Sequence, residues 1–88
     1  MERITLSPDV LVQELGDELV LLDMQSESYF GLNEVGGRFW QLLVEKPDHE
    51  AAVQVLLQEF DVDETTLRAD LDQLVTDLTD AGLMKVAA

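Results

Sequence analysis

The sequence contains no cysteine, which removes disulfides, thiolate metal sites and thiol nucleophiles together. Cations are almost as scarce: five Lys plus Arg stand against nineteen Asp plus Glu, for a net charge of −14. Phosphate backbones are held by cationic side chains that release counterions, so a surface of this sign repels nucleic acid. The excess acid has two readings: it only keeps a small protein soluble, or it steers encounters toward a basic partner segment. The one histidine, His49, sits between Asp48 and Glu50 in the first turn of an expected helix. A metal centre needs further ligands converging from elsewhere, so His49 reads as an ordinary surface residue. There is no basic N-terminal region followed by an apolar core and no long apolar run, so neither a secretory signal nor a membrane span is expected, and the chain is expected to be cytoplasmic. No Ser–His–acid spacing, EF-hand pattern or phosphate-cradling loop occurs; the Gly-rich run Asn33 to Gly37 lacks both the fingerprint and a lysine. The expectation is a protein without catalytic residues, cofactor or metal.

The patterning is more informative. Eighty-eight residues make one domain, 1–88, with no room for a second core, and 47% hydrophobic residues in clear periods predict that it folds. Met1 to Asp9 shows no period and ends in the turn chemistry of Ser7-Pro8-Asp9, so it reads as a lead-in. Val10–Leu15 and Glu18–Asp23 are β-branched and apolar, separated by Gly16-Asp17, a two-residue loop suited to a type II′ hairpin. A polar turn, Met24 to Glu27, leads to a brief strand, Ser28–Leu32, at the sheet edge.

From Asn33, a good N-cap, the period turns helical: Val35, Phe39, Leu42 and Leu43 share one face. Gly36-Gly37 costs a helix interior roughly 1 kcal/mol per glycine, which implies close packing against the sheet. Pro47 and Asp48 separate a second helix, Asp48 to Phe60, with Ala52, Val53, Leu56, Leu57 and Phe60 inward. Asp63 caps a third helix, which runs from Glu64 to Ala81 with Leu67, Leu71, Leu74 and Leu78 as its stripe and Gly82 as its stop. Leu83 and Met84 are expected to pack back on the sheet as the chain trails off. The fold class is α+β: a three-stranded antiparallel meander followed by three helices, winged helix-turn-helix-like with the hairpin moved to the front.

With no catalytic constellation, surface shape remains. An edge strand leaves backbone groups unpaired, a template for another strand. Tyr29 and Phe30 alternate, so one enters the core and the other stays outside; which does so depends on register. On helix three a second line, Arg68, Asp72, Val75 and Thr79, runs beside the Leu stripe. If that helix lies alongside the third strand, the line forms one wall of a groove whose other wall is the strand edge. A winged-helix DNA binder needs a basic face on this helix, but Glu64, Asp70, Asp72, Asp77 and Asp80 crowd it against the single Arg68.

The order SYFGLNEVGGRFWQLL, a helix, then FDVDETTLRADLDQLVTDLTDAGLM resembles the PqqD-like family, the RiPP recognition elements of ribosomal peptide modification pathways. The resemblance covers about Val10 to Met84 and rests on the aromatic-Gly-Leu-Asn run at Tyr29 to Asn33, on Gly36 to Trp40 and on the third helix. It implies three strands and three helices, and a role in holding the leader of a precursor peptide as an added strand closed in by helix three. Carried over by position, it points to Ser28, Tyr29, Phe30 and Gly31 on the strand and to Arg68, Leu71, Asp72 and Val75 on the helix. The implied partners are the precursor leader and a leader peptidase or other modifying enzyme, as in the discrete recognition proteins of lasso-peptide clusters. The alternative within the family is presentation of a precursor to a radical enzyme in quinone cofactor biosynthesis. Oligomeric state is left open.

Overall fold

A computed structural model describes the backbone of residues 3–87. The elements are β1 (Arg3–Leu6), β2 (Val10–Leu15), β3 (Glu18–Asp23), β4 (Ser28–Leu32), α1 (Glu34–Glu45), α2 (His49–Glu59), α3 (Glu64–Asp80) and β5 (Met84–Ala87). The expected meander is present as an antiparallel sheet in the order β2-β3-β4, followed by the three helices. Leu15 pairs with Glu18, and of the two loop residues only Gly16 has positive φ (66°), as a type II′ turn requires.

The helix ends form where the sequence places them. Asn33, Asp48 and Asp63 each turn a side-chain oxygen back onto a backbone N–H, from Gly36, Ala51 and Thr66 respectively. At the far end of α3, Gly82 (φ 79°) donates to the Thr79 carbonyl at 3.1 Å and Leu83 to the Leu78 carbonyl at 2.9 Å, a complete Schellman motif.

Two segments differ from expectation. The lead-in is partly a strand: β1 pairs antiparallel with β5, Ile4 opposite Val86 and Leu6 opposite Met84, in a second sheet of two strands. The tail is its partner instead of a loose end folded onto the meander. Met1, Glu2 and Ala88, at the two ends of these segments, lie outside the described residues. Ile4, Leu83 and Met84 are all buried, so this second sheet closes one side of the core.

That core is one continuous cluster: Leu19, Leu21 and Leu32 from the sheet, Phe39, Trp40 and Leu43 from α1, Val53 and Leu56 from α2, and Leu67, Leu71 and Leu78 from α3. Gly37 permits the approach of α1 to β3, since a Cβ there would lie 3.0 Å from the Leu19 Cγ. Gly36 lies instead against α3 and the cap, 3.4 Å from Leu74 and 3.2 Å from the Asn33 side chain by the same measure.

Candidate peptide-binding groove

β4 is an edge strand, and the hairpin geometry decides which of its backbone groups are free. The two-residue loop makes Leu15–Glu18 a hydrogen-bonded pair, and two steps beyond Leu22 the Met24 N–H still donates to the Asp9 carbonyl at 2.9 Å. Alternation therefore directs the backbone groups of Glu18, Val20 and Leu22 to β2, and those of Leu19, Leu21 and Asp23 to Leu32, Phe30 and Ser28 of β4. The N–H and C=O groups of Tyr29 and Gly31 are left facing outward. Two donors and two acceptors stand in a row on the open edge.

The side chains alternate on the other axis. Leu32 is buried and Phe30 half-buried on the helix side, while Tyr29 is 73% exposed on the opposite face. Phe30 is thus the aromatic that enters the core side, because the register sets it opposite the buried Leu21.

Between this edge and α3 runs a groove of about 530 Å³. Phe30, Gly31 and Leu32 form one side, and Val35 and Gly36, in the first turn of α1, close the bottom. Leu67, Leu71 and Leu74 supply the apolar floor from α3, and Thr66, Asp70, Gln73 and Asp77 stand along its rim. The capping bond from the Gly36 N–H to the Asn33 Oδ1 (2.8 Å) fixes where α1 starts, and so where the bottom of the groove lies.

Of the residues singled out from the sequence, Phe30, Gly31 and Leu71 line this groove. Ser28 is exposed at the start of the same strand, and Tyr29 offers backbone groups to the edge while its ring points to the outer sheet face. Arg68, Asp72 and Val75 are not brought to it. They lie on the opposite flank of α3, where Asp72, Val75 and Thr79 share a shallow hollow with His49. The expected groove wall is corrected accordingly: periodicity places a line beside the Leu stripe, but the seating of α3 against β5 and α2 turns the other side toward β4. Thr66, Asp70, Gln73 and Asp77 repeat at 4-3-4 spacing, a signal equal in strength to that of Arg68, Asp72, Val75 and Thr79. Leu74 and Val35, expected in the core from their periods, are only partly buried and line the groove.

The charges divide in the same way. Arg68 donates from Nε to Glu64 at 2.8 Å and from both terminal nitrogens to Glu50 at 2.9 and 2.8 Å. The bonds to Glu50 hold its carboxyl down to about 2, helped by a bond from Gln54, and together with the bond to Glu64 they raise Arg68 above its ordinary value. The groove itself carries Asp70 and Asp77, the latter accepting from the Gln73 amide at 3.0 Å. His49 is not the free surface residue expected: its ring meets Phe39 edge-to-face at 5.7 Å, and its side chain is 18% exposed. Among the described residues, no three His, Asp or Glu side chains cluster closely enough to hold a metal ion.

Comparison with known proteins adds three findings. Among solved structures, the chain is similar to TbiB1 in complex with the TbiA(beta) leader peptide, at 36% identity and a TM-score of 0.83, over 92% of this chain and 94% of that one. It is also similar to lasso peptide synthetase B1 complexed with the leader peptide, at 29% identity and a TM-score of 0.80, over 94% of this chain and 98% of that one. No curated protein matches. The family described as coenzyme PQQ synthesis protein D (PqqD) matches residues 18–84, from the start of β3 to the start of β5. With strand edge, helix and groove in one arrangement, the chain belongs to the PqqD-like family of RiPP recognition elements.

Proposed function

We propose that this chain, as a single domain over 1–88, holds the leader of a ribosomally made precursor peptide as an added strand on β4. It presents that leader to a leader-cleaving or other modifying enzyme in lasso-peptide biosynthesis, acting in the cytoplasm by binding and not by catalysis. One observation carries the reading: the outward backbone groups of Tyr29 and Gly31 stand beside an apolar groove. The two similar proteins solved with leader peptides support it. Ser28, Tyr29, Phe30, Gly31 and Leu71 are the contacts in this reading, joined by Val35, Leu67 and Leu74 from the groove.

The partner enzyme has a surface available to it. On the outer sheet face Leu11, Leu22 and Tyr29 form one cross-strand row, and Leu11, Leu15 and Tyr29 are exposed. An added leader strand extends that same face, so an enzyme docking there meets carrier and cargo together. The family match favours a second reading, presentation to a radical enzyme in quinone cofactor biosynthesis, which uses the same groove. A winged-helix regulator is disfavoured, because the exposed faces of α3 are acidic and Arg68 is engaged by Glu50 and Glu64.

The test separates donors on one strand. Proline at Gly31 deletes an outward N–H at an edge position, where proline is tolerated. Proline at Phe30 deletes a bond to β3 and is expected to damage the sheet itself. In a titration with a labelled leader peptide that saturates the wild-type chain at one site, Gly31→Pro is expected to weaken binding at least tenfold while the far-UV circular dichroism stays native. Undiminished affinity in a folded Gly31→Pro variant rules out strand addition at this edge.

A further inference from the structure

The lining of the groove specifies its occupant's side chains. Thr66, Asp70, Gln73 and Asp77 stand in one line along the rim of α3, above the floor of Leu67, Leu71 and Leu74. Asp77 lies seven positions beyond Asp70, about 10 Å along the helix axis at about 1.5 Å per residue. Among the described residues that line the groove there is no Lys, Arg or His. The nearest cation in sequence, Arg68, is held on the far flank by Glu50 and Glu64, and Arg38 is held by Glu59 at 2.8 Å. Two carboxylates therefore border an apolar slot without a local counter-charge, in a chain whose net charge is −14.

An added strand advances about 3.3 Å per residue and sends alternate side chains to one face. A side chain that drops onto the leucine floor has same-face neighbours two residues before and two after it, about 13 Å apart. That span matches the separation of Asp70 and Asp77 within the reach of a lysine or arginine. We infer that the segment taken by this groove is cationic, with an apolar anchor on the floor and Lys or Arg two residues to one or both sides, read by Asp70 and Asp77 as specificity-determining residues. The inference rests on the strand-addition reading above. It adds a selection rule: an acidic leader of the same apolar pattern is turned away by like charge at the rim, while a basic one is drawn in by the field of the whole chain.

A phage-displayed library of random twelve-residue peptides, selected on the immobilised full chain, tests this directly. Parallel selections use Gly31→Pro and the double variant Asp70→Asn/Asp77→Asn, each checked for native circular dichroism. The wild-type chain is expected to enrich Lys or Arg two residues from an apolar residue, and the double variant to lose that bias while still retaining apolar peptides. For a synthetic winner, replacing its flanking cations by Gln is expected to weaken wild-type binding about fivefold at low salt, and to change binding by the double variant little. Winners without basic bias, or equal affinity for the Lys and Gln versions, overturn the charge rule and leave strand addition standing. Enrichment no greater on wild type than on Gly31→Pro overturns strand addition and the charge rule with it.

Discussion

At Gly37 two preferences of the chain collide. Helix propensity favours alanine there by about 1 kcal/mol. The Cβ of that alanine would meet the Leu19 side chain at 3.0 to 3.4 Å, and Leu19 is only 4% exposed, with no free direction in which to turn. Overpacking of this kind costs about 1–3 kcal/mol, so Gly37→Ala is expected to destabilise by about 1 kcal/mol net in urea unfolding. Gly31→Ala is the control: an added Cβ meets nothing within 4 Å, and stability is expected to stay within about 0.5 kcal/mol. A stabilised Gly37→Ala chain means that α1 does not lie on β3 as described. The need for close packing was readable from the pair Gly36-Gly37; that the two face different neighbours, Leu19 for one and Leu74 for the other, was not. A sequence states that a side chain is missing, and only the fold states what occupies its place.

Among the elements, the two terminal strands and the third helix were read least well, for different reasons. β1 and β5 are four residues each and about eighty positions apart, too short for a period and paired only through long-range contact. Yet Ile4 is 2% exposed, and the partner strand begins with buried Met84. Ile4→Ala alone is expected to cost about 2–4 kcal/mol. Deleting residues 1–6 removes β1 entirely and uncovers the first residues of β5, so the loss is expected to exceed that of Ile4→Ala in the same urea titration. Equal midpoints for the deletion and the full chain would show the second sheet to be dispensable. The third helix was located correctly, from its Asp63 cap to its Gly82 stop, because caps are local chemistry. Its groove-facing flank was not, because a helix has two sides next to any stripe and the seating of α3 against β5 and α2 decides between them.

Across the whole molecule, charge sets the response to pH and salt. Two ion-pair groups, Arg38 with Glu59 and Arg68 with Glu50 and Glu64, are embedded in a surface of −14. Glu50 is lowered from 4.5 to about 2, so the stability linked to it is fully present above pH 4.5 and is lost as pH falls through about 2. Glu50→Gln is therefore expected to melt below the wild-type chain at pH 7, with the gap closing between about pH 4.5 and pH 2. Repulsion among the remaining carboxylates works in the other direction, relaxing as they protonate. Salt separates the two: at pH 7, added NaCl is expected to raise the melting temperature of both proteins, because screening weakens repulsion spread over the surface more than contacts at 2.8 Å. Parallel thermal melts at low and high salt check both signs.

The local chemistry of the chain was sufficient for the meander, the turns, the three caps, the Gly82 stop and the edge position of β4, since each depends on neighbours within a few residues. The family resemblance followed from the same stretches. Three matters required the folded chain. Tyr29 turns outward and Phe30 inward because β4 takes its register from β3. Tyr29 and Gly31 hold the free edge because the Gly16-Asp17 hairpin sets the phase of every hydrogen bond beyond it. Asp70 and Asp77 border the groove, and Arg68 does not, because α3 presents one flank to β4 and the other to α2.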